Sequence, residues 1–109
     1  MCKALTLWHK KGVVHNRVKP SAIYKDSISG YCLGEPDIHY MLDKSISYSN
    51  MIYQRYIVFP KIYSLEVLSK EPLKFSADVW SLGVVIYEMM NQTTPFKAKD
   101  VASMKRAII

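Results

Sequence analysis

The chain has 109 residues, enough for one domain at most. Half of them are hydrophobic and 22% are charged, a balance that excludes wholesale disorder; the 15 Lys and Arg exceed the 9 Asp and Glu but are scattered from Lys3 to Arg106 without a dense basic run. The spread argues for a solvated surface rather than a nucleic-acid partner, and the longest apolar stretch, Val79 to Met90, is too short to cross a bilayer.

Ala4, Leu5 and Trp8 sit at helical spacing ahead of Lys10, Lys11 and Gly12, the pattern of a helix that ends on basic residues and a glycine. The opening residues have a basic start, but their apolar core is brief and no small-residue cleavage site follows, so no signal peptide is expected. After the short β-branched run Val13-Val14, an irregular loop leads to Ile23-Tyr24 and Tyr31-Cys32-Leu33. These flank the turn-like Asp26-Ser27-Ile28-Ser29-Gly30 and predict a small hairpin. Cys2 and Cys32 lack the second pair of ligands a structural zinc needs, so two reduced thiols in an intracellular, cytoplasmic protein are expected.

From Ile38 to Ser64 the composition shifts to tyrosine and serine with few regular apolar periods, predicting a long irregular surface segment. Beyond it Ser64 to Ser69 predicts a short helix that Pro72 interrupts. Ser76 is placed to cap a strong helix over Ala77 to Met90, whose apolar residues cover nearly its whole circumference and so predict a central, surrounded helix. Thr93 to Phe96 breaks the pattern, and Val101 to Ile109 predicts a further helix.

The order of these signals carries a resemblance. Gly12-Val13-Val14-His15-Asn16-Arg17-Val18-Lys19-Pro20-Ser21-Ala22-Ile23 resembles the catalytic loop of serine/threonine protein kinases, whose pattern is H-R-D-L-K-P-x-N-I. Cys32-Leu33-Gly34-Glu35-Pro36-Asp37 is similar to the strand that runs into D-F-G, and Ser64-Leu65-Glu66 to A-P-E. Ser76-Ala77-Asp78-Val79-Trp80-Ser81-Leu82-Gly83 resembles the opening of the central helix of the kinase C-lobe, and Pro95-Phe96 the turn after it. The resemblance covers nearly the whole chain. It implies a partial kinase C-lobe over residues 1–109, mainly α with a small β hairpin, beginning at the end of the helix before the catalytic loop and stopping just past the central helix.

Taken residue by residue, the resemblance implies lost chemistry. The carboxylate that would accept the substrate hydroxyl's proton is Arg17, permanently cationic and unable to act as a base. The amide that would hold magnesium is Ala22, which has no side-chain ligand atom, and the D-F-G carboxylate is Glu35, one methylene longer. Pro36 and Asp37 replace the Phe and Gly of the hinge, Asn16 replaces the arginine that would pair with an activation-loop phosphate, and Phe59 stands where a supporting Thr is usual. Lys19 is retained. The glycine-rich loop, the strand lysine and its helix glutamate have no counterpart in these residues, so ATP and magnesium binding are expected to be weak or lost.

Three positions are expected to act structurally: His15 as a core histidine, Asp78 as an acceptor of catalytic-loop amides, and Glu66 as the A-P-E glutamate, whose family partner is not within this stretch, so that it is either paired with Arg106 or another base or, the favoured reading, exposed. Two readings of Arg17 stand side by side, an ion pair with Glu35 across the cleft or a guanidinium pointing to solvent. Tyr48, Ser49 and Tyr53 lie in the segment that resembles an activation loop, and phosphorylation there competes with a plain surface loop. The expected function is a catalytically inactive, pseudokinase-type fragment that binds protein partners or the missing kinase segments. The alternatives are part of a serine/threonine kinase with residual ATP binding or phosphotransfer, and a truncated product without independent function.

Overall fold

A computed structural model of the chain describes residues 1–28, 30–34, 36, 63–69, 71 and 74–109. These residues form four α-helices and one antiparallel hairpin, in the order α1 (Cys2–Lys10), β1 (Ile23–Asp26), β2 (Gly30–Leu33), α2 (Leu65–Leu68), α3 (Phe75–Asn91) and α4 (Val101–Ile108). A single 3-10 turn over Pro20–Ala22 precedes β1.

The glycine stop after α1 is a Schellman turn. Gly12 adopts φ +72°, its amide donates to the His9 carbonyl at 2.9 Å, and the Val13 amide donates to the Trp8 carbonyl at 3.1 Å. The chain therefore leaves α1 abruptly and enters the extended run that buries Val14 and His15.

The hairpin pairs Ile23 with Leu33, Tyr24 with Cys32, Lys25 with Tyr31 and Asp26 with Gly30. Gly30 at φ +84° takes the left-handed position that such a short connection requires, and the Asp26 side chain accepts the Ile28 amide at 3.3 Å. One further bond, from the Gly34 amide to the Ala22 carbonyl at 3.0 Å, extends the ladder toward the preceding turn.

The helix expected from Ala77 to Met90 begins earlier and without the predicted cap. Its N-cap is Lys74 and no side chain caps it; the Ala77 amide bonds the Lys74 carbonyl at 3.0 Å, so Ser76 lies inside the first turn with its side chain exposed. Its other end stops on Gln92 in the left-handed conformation. One side of α3 is buried, through Ala77, Asp78, Ser81, Leu82, Val84 and Val85, while Val79, Ile86 and Met90 on the opposite side are exposed. The surrounded helix expected from its composition is therefore covered on one face only.

α3 serves two cores. Ala77 joins Val67, Leu68 and Met104 where α2 and α4 meet, with Tyr63, Phe96 and Val101 packed around them. Leu82 joins Leu5 of α1 and Val18 of the loop after it, with Leu33 of β2 alongside. Trp80 lies flat on Phe96, ring centroids 5.7 Å apart, which fixes the return of the chain toward α4. There Asp100 and Ser103 form a reciprocal capping box, the Ser103 amide donating to Asp100 Oδ1 at 2.8 Å. None of the helices among the described residues is long and apolar enough to cross a membrane.

Candidate functional site

The loop between α1 and the 3-10 turn, residues 13–19, is held from beneath by one carboxylate. Asp78, on the first turn of α3, is 1% exposed. Its Oδ2 accepts the His15 amide at 2.8 Å and its Oδ1 accepts the Asn16 amide at 2.7 Å. A third donor, His9 Nε2 at the end of α1, lies 2.8 Å from Oδ2. A buried carboxylate is stable only when its lone pairs are filled in this way, so the same bonds that hold the loop also account for the charge beneath it.

Asn16 adopts φ +53°, the left-handed region that Asn enters more readily than most residues. The inversion lies just past the two amides that Asp78 accepts and redirects the chain that follows them. His15 is wholly buried, its ring edge-on to Trp8 with centroids 6.1 Å apart, and its Nδ1 accepts the Arg17 amide at 3.3 Å, which leaves the ring proton on Nε2. The His9 ring is backed by Phe75 at 4.6 Å, so the first residue of α3 braces the donor to Asp78.

The remaining expected positions fall as follows. Arg17 and Lys19 are both half-buried on the clamped loop. Ala22 is fully buried, and its backbone carbonyl accepts the Gly34 amide. The residue after Gly34, Glu35, lies outside the described residues, and with it the proposed pairing to Arg17. Asp37, Tyr48, Ser49, Tyr53 and Phe59 lie outside them too. Glu66 is half-buried on α2 rather than exposed: its carbonyl accepts the Glu71 amide at 2.9 Å, which folds the chain back over the helix end. The structure thus joins His15 and Asp78 in one cluster and sets Glu66 apart, half-buried on α2.

His9 is the participant that reading the sequence missed. Nothing in local spacing ties it to Asp78, which is 69 residues away; the one available signal is its place beside a helix-ending glycine, where the chain must turn under whatever follows. Among the described residues no cluster of three or more His, Cys, Asp or Glu side chains is placed to hold a metal ion.

Comparison with known proteins decides the family. The protein kinase domain matches residues 1–109, the full length of the chain. The chain belongs to the protein kinase domain family. Its kinase relatives include the G2-specific protein kinase fin1 of Schizosaccharomyces pombe, 30% identical over 91% of the chain, and the cAMP-dependent protein kinase type 3 of Saccharomyces cerevisiae, 31% identical over 88%. A third, the serine/threonine-protein kinase Sgk1-B of Xenopus laevis, is 31% identical over 95%. The chain spans only 13%, 22% and 23% of the lengths of these three proteins, so it corresponds to a fragment of a kinase domain with serine/threonine kinase relatives.

Proposed function

We propose that this kinase-domain fragment is a C-lobe portion that does not transfer phosphate and works as a protein-binding module. The observation that carries the reading is the clamped loop. Asp78 fixes the backbone of His15 and Asn16, and the next residue, at the position corresponding to the catalytic base, is Arg17. A guanidinium has no basic lone pair to receive the hydroxyl proton, whatever its exact direction.

Magnesium is a poor fit for the same region. The amide position is Ala22, whose methyl group offers no ligand and whose carbonyl already accepts the Gly34 amide. The exposed thiols of Cys2 and Cys32, joined in no disulfide, suit a reducing, intracellular setting, which we place in the cytoplasm.

The competing reading, part of a serine/threonine kinase that retains phosphotransfer, is favoured by one fact: the relatives are named as kinases and extend well beyond this stretch. A radiolabelled phosphotransfer assay on the purified chain, run beside thermal unfolding with and without ATP and Mg²⁺, separates the two. The expected result is no phosphate incorporation and no magnesium-dependent rise in melting temperature. Transfer that disappears in Lys19→Ala would overturn the non-catalytic reading.

A further inference from the structure

Between α3 and α4 the chain runs through residues 92–100, which belong to no helix or strand. Within this connection stands Thr94-Pro95-Phe96-Lys97. Of the five prolines in the chain, Pro95 alone follows a residue with a hydroxyl group; the others follow Lys19, Glu35, Phe59 and Glu71. Pro95 has a fixed φ and biases Thr94 away from helical backbone, so the hydroxyl lies in chain already suited to an extended binding groove. Proline also lacks an amide hydrogen. A groove without a hydrogen-bond acceptor at the position after the hydroxyl rejects every other residue, whose buried amide would go unpaired. Lys97, exposed and three residues on, lies about 10 Å further along an extended chain and offers a positive charge to an acidic or phosphate-bearing surface.

We propose that Thr94 is a phosphorylation site, the substrate of a proline-directed serine/threonine kinase that also reads Lys97. The signal belongs to four consecutive residues and their own backbone, whatever surrounds them in a longer chain. The second enzyme's ATP supplies the group. A bond forms from Thr94 Oγ1 to the γ-phosphorus, the bond from that phosphorus to the bridging oxygen breaks, ADP leaves, and the hydroxyl proton passes to the second enzyme's base. This chain is the acceptor and not the catalyst, so the site is independent of the non-catalytic reading.

The hydroxyl is already engaged. Thr94 Oγ1 donates to the Phe96 carbonyl at 3.1 Å in a part-buried bond. The Phe96 ring lies on Trp80 and packs against the core of Val67, Leu68, Ala77 and Met104. A phosphate ester has no hydroxyl proton to give and carries about two negative charges, so it repels the same carbonyl. The bond is lost, Phe96 loosens in its seat, and the dianion turns to the exposed ammonium groups of Lys97 and Lys99. For a domain of this size, losing one such bond lowers the melting temperature by roughly 4–8 °C.

The test incubates the purified 109-residue chain with ATP and a purified kinase of the cyclin-dependent class, and places the phosphate by peptide mass spectrometry against a control without enzyme. Circular dichroism checks that the chain and each variant are folded. The expected result is one phosphate, on Thr94, and a melting temperature lowered as above. Thr94→Ala should abolish incorporation. Pro95→Ala, which keeps the hydroxyl, should slow it by about 100-fold, and Lys97→Ala by about 10-fold. No incorporation overturns the site, as does a phosphate placed on Thr93, an undiminished rate in Pro95→Ala, or incorporation only after the chain has been unfolded by heat. A chain phosphorylated on Thr94 that melts with the unmodified one overturns the link to Phe96.

Discussion

Replacing Asp78 by Ala tests how much of the fold depends on the carboxylate beneath the loop. The change removes the acceptor from the His15 amide, whose bond is buried, and from the Asn16 amide, whose bond is part-buried. Each buried amide left without an acceptor costs about 1–3 kcal/mol. The bond from His9 adds less, because that ring is partly exposed and can turn to water. The sum is on the order of 3–5 kcal/mol, against roughly 0.5 kcal/mol for an ordinary surface change.

For a domain of this size each kcal/mol moves the melting temperature by several degrees, so the Ala variant should melt more than about 10 °C below the unaltered chain. Urea unfolding followed by circular dichroism measures the difference directly. Asp78→Asn supplies a gentler comparison, since its single carbonyl oxygen can serve one amide while its NH₂ group repels the other. His9→Ala alone should fall between Asp78→Asn and the unaltered chain. A melting temperature for Asp78→Ala within about 2 °C of the unaltered chain would refute the reasoning, because it would mean that the loop amides find water or other acceptors at little cost.

Asn16→Val places a β-branched residue at φ +53° and should cost about 1–2 kcal/mol, whereas Asn16→Gly should be close to neutral; equal stability of the two in urea unfolding would remove the strain argument. Ser64 is 1% exposed and its hydroxyl has no hydrogen-bond partner among the described residues, so Ser64→Ala should raise stability by about 1 kcal/mol, and a loss measured by the same assay would show that the hydroxyl is bonded. The Ser103 amide, with its hydroxyl next, holds the Asp100 carboxyl below its ordinary value of 3.8. Its support of α4 is therefore present above that value and fades as pH falls through the lower folded-state value; the Ser103 amide resonance should follow this titration in NMR, and Asp100→Asn should abolish it.

Local chemistry was the readable part of this fold. The glycine after Lys11, the turn residues between Tyr24 and Tyr31, and the apolar run from Val79 each determine their structure within a few residues, and those elements appear where the sequence puts them. Ser76 misled because a serine ahead of an apolar run is a good cap only when the helix begins after it; here the Lys74 carbonyl starts the helix two residues earlier. His9 was invisible for a different reason. Its bond to Asp78 is created by tertiary packing, and no periodicity or spacing encodes a partner 69 residues distant. The family resemblance led to Asp78 and His15, but it could not say that Arg17 would be half-buried or that Glu66 would be partly covered by its own chain.

The contact between Asn16 and Asp78 closes a loop of 62 residues with two heavy atoms. Closure entropy grows only with the logarithm of loop length, so doubling the intervening chain would raise its cost by about 0.6 kcal/mol. The tether is therefore nearly indifferent to how much polypeptide it spans. Lengthening the chain between Asn16 and Asp78 should therefore leave the bonds from the His15 and Asn16 amides in place.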